Sequence, residues 1–197
     1  NPYTRHSLRE PKPWDWRRRS SFMARSYPAQ GKLSPAKQGS VWVKFEHLVQ
    51  VNDLADPAQP RLTREELWFG LLCRAEDPRP FLPGLERCVI VERAGERLER
   101  ELHFGAAVVR DSVVLAELQW VRFDSAATAE HAGGSLTILI EEPAAGELFL
   151  RFRYHTSLPE ASTQDEQLAA FVRSAYHESD LDTVRVIRAI AASGRLQ

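Results

Sequence analysis

The sequence predicts an α+β fold in which a curved antiparallel sheet of about seven strands wraps around a long C-terminal helix. Three observations predict it. Stretches that alternate apolar and polar residues, typical of half-buried strands, recur from Val41 onwards. Short glycine-containing turns separate these stretches, as in antiparallel hairpins. The final part of the chain, Thr163 to Gly194, has apolar residues at the spacing of an amphipathic helix.

The first 40 residues differ in composition from residues 41–197. They contain nine Lys or Arg and two Asp or Glu, a formal charge of +7, which leaves −8 for the remainder. Five prolines and no apolar periodicity argue against a packed core in this segment, so we predict a disordered basic tail. The acidic remainder would repel a phosphate backbone, and we therefore expect no nucleic-acid partner.

The first strand and the first helix have clear sequence signals. In "VWVKFEHLVQVN" every second residue from Val41 to Val51 is expected to point inward, and His47 belongs to that set. Thr63 and Glu66 form a capping box that predicts a helix start. The apolar stripe of that helix is Leu67, Trp68, Leu71, Leu72 and Ala75, and the prolines at 78 and 80 end it.

Six further strands and one long helix complete the prediction. The strands are expected at about 85–93, 97–104, 107–116, 119–126, 135–142 and 147–157, with turns at 94–96, 131–134 and 143–147. A second capping box, Thr163 with Glu166, opens the terminal helix, and Gly194 is its expected stop. Its predicted apolar side comprises Leu168, Phe171, Val172, Ala175, Tyr176, Ser179, Thr183, Val186, Ile187 and Ile190. We expect this helix alone to cover the sheet and to leave a ligand cavity beneath it.

Several stretches resemble one known family. They are "KFEHLVQVND" (44–53), "LTREELWFGLLCRAEDPRPFLPGL" (62–85), "SLTILIEEP" (135–143), "LFLRFRYHT" (148–156) and "DLDTVRVIR" (180–188). They are similar to the AtaL-like family of the SRPBCC superfamily, which includes START lipid-transfer domains, pollen-allergen-like proteins and polyketide cyclases. The resemblance covers about 44–197 and implies the helix-grip fold, a sheet that grips a C-terminal helix around an apolar pocket. The family supplies no established catalytic residues, so none is carried over.

The resemblance also bears on the basic N-terminal segment. Members of the family tend to begin at the equivalent of "KFEHL", directly after an initiator methionine, and Val43 stands at that place here. A GTG start codon read internally would give this valine, and Met23 offers another start. We therefore expect residues 1–40 to be an over-extended gene model or a genuine disordered tail. A nucleic-acid arm is a third alternative, because "WDWRRR" mixes aromatic and basic residues as single-strand binders do. Residues 41–197 are the expected helix-grip domain.

Arg100 is the unusual residue among the candidate pocket residues, because it shares a strand face with Leu98 and Leu102. It either snorkels at the sheet edge or anchors a carboxylate or carbonyl of a ligand. The residues that we expect to line the ligand site are Arg100, Leu102, Phe104, Leu150, Phe152, Tyr154, Val172, Tyr176, Ser179 and Thr183.

The polar members of this set have structural alternatives. Ser179 and Thr183 either bond locally to the backbone or give the pocket a polar lining. Tyr154 and Tyr176 either place their hydroxyls at the rim or donate to a ligand. His47 is either a satisfied core histidine or a general base, and His177 is expected mostly on the wet side of the helix.

Other motifs of known chemistry are missing. Cys73 and Cys88 have no zinc-site spacing and are expected to be free thiols in a reduced, cytoplasmic setting. No GxSxG, HExxH or phosphate loop occurs, so we predict no cofactor, no metal and no particular catalytic residue. No apolar run approaches the roughly 20 residues of a membrane span.

We therefore expect a domain that binds a small apolar or amphipathic molecule. The alternative is a cyclase- or dehydratase-like enzyme that acts on a polyketide-like substrate, in which a Tyr, His or Arg polarises a carbonyl. A third class is an interaction domain that uses the pocket mouth against a protein partner.

Overall fold

The computed structural model describes residues 40–127, 133–159 and 166–195. All the described residues belong to one compact unit, Leu33–Gln197. The expectation for residues 1–40 thus lies outside the described residues, apart from Ser40, which begins the first strand.

Seven strands form one antiparallel sheet. The strands are β1 Ser40–Gln50, β2 Arg87–Ala94, β3 Arg97–Phe104, β4 Ala107–Ala116, β5 Trp120–Ser125, β6 Gly134–Ala144 and β7 Glu147–Pro159. The spatial order is β1-β7-β6-β5-β4-β3-β2. Helix α1, Arg64–Glu76, lies between β1 and β2 in the sequence, and helix α2, Glu166–Arg195, follows β7. The α+β class and the strand meander are confirmed, because hairpin turns pair each strand from β2 to β6 with the next, and β1 pairs with β7.

The two faces of the sheet divide as the alternation predicts. On β7, Leu150 and Phe152 are fully buried, whereas Arg153 and His155 are exposed. The inward residues of β3 to β6 and of α1 join them in one core, which includes Leu98, Val113, Val121, Ile138, Leu67 and Leu71.

Helix α1 begins at the predicted capping box. The backbone N–H of Glu66 donates to Thr63 Oγ1 over 3.1 Å, and the backbone N–H of Thr63 donates to Glu66 Oε2 over 2.8 Å. The predicted stripe is buried except for Leu72, which is half-buried. Gly70 and Arg74 are also buried, and the apolar pattern did not predict either of them.

The two helices share the inner face of the sheet, so the expectation that α2 alone covers it is wrong. Arg100 of β3 donates to backbone carbonyls at the end of α1, whereas Tyr154 of β7 bonds to Asp180 of α2. Helix α1 therefore contacts the β3 side and α2 contacts the β7 side. The helices also pack on each other where Gly70 faces Ile187.

The buried side of α2 differs in part from its predicted stripe. Phe171, expected inside, is 54% exposed, and Asp180, expected nowhere in the stripe, is buried. In the C-terminal half the buried line is Asp180, Thr183, Val184, Ile187 and Ala191, because this half packs on α1 as well as on the sheet. The helix also continues through Gly194 to Arg195, so the expected stop is wrong. Thr163 and the side chain of Leu168 lie outside the described residues.

The C-terminal half of α2 is tied to the loop between β1 and α1. The Arg188 guanidinium donates to the carbonyl of Val51, to the carbonyl of Pro60 over 2.8 Å and to Gln59 Oε1 over 2.9 Å. Asn52 closes the same loop, because its side-chain amide donates to the carbonyl of Leu62 over 2.8 Å and accepts from its N–H over 3.0 Å. These bonds fix where α2 crosses the sheet.

The close approach of the helices at Gly70 gives a stability prediction. A Cβ at this position would lie 2.5 Å from Ile187 Cγ2, well inside contact distance. We expect Gly70→Ala to lower the free energy of unfolding by about 1–3 kcal/mol, as overpacked cores do. Urea denaturation measures this change.

Gly194→Ala is the matched control, because no atom lies within 4 Å of the Cβ that it would add. That helical substitution is expected to stabilise by up to about 1 kcal/mol. Adding Ile187→Ala to Gly70→Ala should produce less than the sum of the two single losses. Equal effects of alanine at positions 70 and 194 would contradict the packing model.

Candidate active site and ligand site

A buried ion pair joins two central strands. Arg100 and Asp111 are register neighbours on β3 and β4, with Nε to Oδ1 at 2.9 Å and Nη2 to Oδ2 at 2.5 Å. Arg100 Nη1 also donates to the carbonyls of Arg74 and Ala75, over 3.1 and 2.6 Å. The snorkelling alternative for Arg100 is therefore wrong, because its guanidinium lies inside and links both strands to α1.

Arg74 is the second buried guanidinium. It donates to the hydroxyl of Thr183, and its Cζ lies 5.9 Å from the ring centre of Phe81 and 5.6 Å from that of Phe123. Burial lowers the pKa of Arg74; Asp180 and Tyr154 act against this, whereas the positive charge of Arg100 adds to it. Thr183 in turn donates to the carbonyl of Ser179 over 3.2 Å, so its predicted local backbone bond is present.

Tyr154 and Asp180 form a buried acid pair next to Arg74. The Tyr154 hydroxyl donates to Asp180 Oδ1 over 2.5 Å, whereas Asp180 Oδ2 is buried and has no hydrogen-bond partner in the described part of the chain. Burial raises the pKa of Asp180 to about 7, although the Tyr154 hydrogen bond and the charge of Arg74 both act in the opposite direction. Burial and the neighbouring Asp180 raise the pKa of Tyr154 well above its usual value. The rim alternative for the Tyr154 hydroxyl is therefore wrong.

Four rings lie around this pair, and together with Tyr154 of β7 they form what we call the aromatic–histidine cluster: Phe45 and His47 of β1, and Tyr176 and His177 of α2. Phe45 stacks on Tyr154 with ring centres 4.9 Å apart, and Tyr176 lies 5.1 Å from Phe45 and 4.7 Å from Tyr154. His47 lies 5.6 Å from Phe45 and 5.3 Å from His177. The cluster thus joins the β1–β7 edge of the sheet to the N-terminal half of α2.

The two histidines of the cluster differ from their predictions. His47 points inward, but its Nε2 is buried and has no hydrogen-bond partner among the described residues, so the satisfied-core alternative is wrong. Burial lowers the pKa of His47, and the nearby His177 adds to this. His177 is half-buried against His47 and does not lie on the wet side of the helix.

The predicted lining residues fall into two groups. Arg100, Leu102 and Phe104 lie on β3, which three strands separate from β7. The others lie at the β7–α2 side: Leu150, Phe152, Tyr154, Val172, Tyr176, Ser179 and Thr183. The sequence did not predict Asp180, which bonds to Tyr154 in the second group, or Arg74, which contacts Thr183 and, through its carbonyl, Arg100. For Arg74 a signal existed, because it lies one helical turn after Gly70 and Leu71 on the buried face of α1.

Two cavities along the described residues lie on the outer face of the sheet and not between the sheet and the helices, where the ligand cavity is expected. One, of about 460 Å³, is bordered by Lys44, Arg122 and Arg153 together with Ser135 and other residues of β1 and β5 to β7. The other, of about 240 Å³, includes Glu99, Arg110 and Ser112 in its lining.

Residues 40–127, 133–159 and 166–195 contain neither a metal-binding cluster nor a helix suited to span a membrane. No group of three or more His, Cys, Asp or Glu side chains is arranged to hold a metal ion in these ranges. In the same ranges, neither helix combines the length and the apolar character needed to cross a membrane. Cys73 and Cys88 are free, as expected, and half-buried.

The chain belongs to the AtaL family: the family model described as acetylaranotin biosynthesis cluster protein L matches residues 49–194. A search of curated proteins gave no match. The resemblance of the sequence to this family is confirmed.

Solved structures with the same fold are similar at low sequence identity. The di-domain aromatase/cyclase StfQ from the steffimycin biosynthetic pathway superimposes with a TM-score of 0.58 at 14% identity, over 79% of this chain and 53% of StfQ. This chain thus spans about half the length of StfQ. The structure of Ara h 8.0201 gives a TM-score of 0.52 at 11% identity, over 79% of this chain and 99% of its own.

A third structure, the Zhui aromatase/cyclase from Streptomyces sp. R1128, gives 0.50 at 11% identity, over 81% of this chain and 97% of its own. The predicted helix-grip fold, with its seven-stranded antiparallel sheet and C-terminal helix, is confirmed.

The raised pKa of Asp180 gives a prediction for stability against pH. Its folded pKa of about 7 exceeds the unfolded value near 3.9, so the folded state binds the extra proton between these values. The stability that this group contributes is complete below about pH 4 and is lost as pH rises to 7. We expect Asp180→Asn to gain stability relative to the parent over that window, by about 2–4 kcal/mol at pH 8.

Urea denaturation at several pH values measures this gain. Asp182→Asn is the control, because Asp182 lies on the same helix but forms an exposed ion pair with Arg185. Its effect should vary little between pH 4 and 8. A pH-independent effect of Asp180→Asn would show that Asp180 is an ordinary carboxylate.

Proposed function

We propose that the protein binds a small apolar or amphipathic molecule between the β1–β7 edge of the sheet and the N-terminal half of α2. One observation carries this proposal. Two buried polar atoms, His47 Nε2 and Asp180 Oδ2, have no hydrogen-bond partner among the described residues, and both belong to side chains that neighbour Tyr154. Such atoms are rare in folded proteins because each is costly to bury unpaired. A ligand with a hydroxyl or carbonyl group would satisfy them.

The attachment of α2 indicates where a ligand gains access. The C-terminal half of the helix is held by Arg188 and by the close packing of Gly70 on Ile187. The N-terminal half meets β1 and β7 through the rings of the aromatic–histidine cluster. Because ring contacts are weaker constraints than a bonded guanidinium and a tight helix crossing, we propose that the N-terminal half moves outward to admit the ligand.

The proposed lining combines an apolar wall with a polar end. Phe45 and Tyr176 supply flat apolar surface, and burial of ligand area against them yields about 25 cal/mol per Å² before association costs. Leu150, Phe152, Val172, Ser179 and Thr183 remain proposed lining residues. Leu102 and Phe104 do not, because they lie on β3, which three strands separate from β7. Arg100 is already bonded to Asp111 and to two carbonyls, so we propose Arg74 in its place as the guanidinium that faces the ligand.

A second candidate function is catalysis of the cyclase type. The structures similar to this chain include proteins named as aromatase/cyclases, although the identities of 14% and 11% establish the fold alone. The specific observation that favours catalysis is Asp180, whose pKa of about 7 suits a general base near neutral pH. Its unpartnered Oδ2 would take a proton from a carbon between two carbonyls, and the C–H electron pair would become an enolate.

Ligand binding is tested by native mass spectrometry of the purified protein and by titration with a panel of aromatic and aliphatic amphiphiles. We expect Tyr176→Ala to weaken binding by about tenfold, equivalent to about 1.4 kcal/mol, because it removes one aromatic wall. Trp42→Ala is the control, since Trp42 lies on the outer face of β1 and is 51% exposed. Equal losses in the two variants, or no binding across the panel, would refute the interior site.

Catalysis is tested by deuterium exchange at the central carbon of a β-diketone in D₂O, followed by NMR. We expect the parent protein to accelerate exchange with a rate that rises through pH 7, as Asp180 loses its proton. Asp180→Asn should slow exchange by about 100-fold or more, the usual contribution of a positioned general base. Asp182→Asn should leave the rate unchanged. If the Asp180 variant exchanges as fast as the parent, the protein is a binder without this chemistry.

A further inference from the structure

We propose that the ligand carries an anionic oxygen, as carboxylates and ionised enols or phenols do, and that this oxygen pairs with Arg74. This inference rests on the proposed interior site and specifies the chemical class of its occupant. It follows from the balance of buried charges beneath the two helices.

The first observation is that one of the two buried guanidiniums is already neutralised. Arg100 makes a two-point ion pair with Asp111, at 2.9 and 2.5 Å, and both side chains are buried. In such a bidentate pair the single positive charge of the guanidinium is balanced by the single negative charge of the carboxylate. The charge of Asp111 is therefore not available to neutralise Arg74.

The second observation is that Arg74 has no such partner. Its guanidinium donates to the neutral hydroxyl of Thr183 and faces the rings of Phe81 and Phe123. Within the described ranges Arg74 forms no ion pair, because no carboxylate oxygen lies within 4.0 Å of its guanidinium nitrogens. An arginine keeps its charge in proteins, so a positive charge is buried there without a matching anion.

Asp180 is the carboxyl group that could supply the anion, and it does so only in part. It lies close enough for its charge and that of Arg74 to influence each other. With a pKa of about 7, however, Asp180 is protonated in roughly half of the molecules at neutral pH. Tyr154 occupies Oδ1, and Oδ2 is unpartnered among the described residues. At neutral pH the interior thus carries an excess of positive charge. Beside it, Asp180 Oδ2 can accept a hydrogen bond when ionised or donate one when protonated.

This arrangement suits ligand recognition better than it suits folding. A buried unpaired charge destabilises a fold by several kcal/mol, and apolar residues of similar volume often stabilise the protein in its place. The Thr183 bond and the two rings hold the guanidinium in one orientation before a ligand arrives, which lowers the entropy lost on binding. An anionic oxygen would complete a charge pair that the protein itself leaves incomplete.

The experiment compares acids with neutral isosteres. Naphthalene-2-carboxylate and dodecanoate are titrated against their primary amides, and 2,4-dinitrophenol against its methyl ether, by isothermal calorimetry at pH 6, where these acids are ionised and Asp180 is largely protonated. We expect the parent protein to bind each anion at least tenfold more tightly than its neutral counterpart. A preference confined to the carboxylates or to the dinitrophenol would identify which anion the site takes, and either preference supports the proposal.

Variants separate recognition from folding. Arg74→Met should remove the preference while leaving the affinity for the amides within about twofold, and its urea midpoint should equal or exceed that of the parent. Arg74→Lys should keep part of the preference. Arg153→Met is the control, because Arg153 lies next to Tyr154 on the solvent side of β7, and it should change neither quantity.

The outcomes distinguish this inference from the proposed function. If acids and neutral isosteres bind the parent protein equally, the anion inference is wrong and the interior binding site stands. If none of the six compounds binds, both are wrong. If the preference for anions persists in Arg74→Met, the assignment to Arg74 is wrong. If that variant does not fold, the measurements on the parent protein alone decide whether the site prefers anions.

Discussion

The interior of this protein depends on the buried guanidinium of Arg100. It joins β3 to β4 through Asp111 and holds the end of α1 through the carbonyls of Arg74 and Ala75. Hydrogen bonds to charged groups are stronger than neutral ones and are geometrically demanding, so this one side chain sets the distance of α1 from the sheet. The position of α1 in turn places Arg74 between the rings of Phe81 and Phe123.

The two halves of α2 are held by different kinds of contact. The C-terminal half is fixed by Arg188 and by the meeting of Gly70 with Ile187. The N-terminal half rests on the rings of Phe45, Tyr154 and others, with Phe171 exposed. A helix anchored at one end can change its angle at the other without loss of the core. This division supports the proposal that a ligand binds at the β1–β7 edge.

The polar groups under the helices explain both the proposed binding and the proposed chemistry. Asp180 and Arg74 would be replaced by apolar residues if stability alone decided the interior, because neither has a full set of partners within the described residues. Incomplete pairing raises the energy of the empty site, and a ligand of matching polarity would recover that energy. The incomplete pairing of Asp180 and Arg74 therefore lowers the stability of the fold, whereas it would favour binding of a polar ligand.

The sequence by itself determined the strands, the capping box of α1, the inward faces of β3 and β7 and the family, because period, caps and turn residues are local signals. It also contained the Arg100–Asp111 pair, since the Gly105 turn pairs Phe104 with Ala107 and thus position 100 with 111. Only the tertiary structure decided that Asp180, and not Asp182, is buried, and that α1 shares the cover of the sheet. The reason is physical: the buried side of a helix and the pKa of a carboxyl depend on which distant elements pack against it.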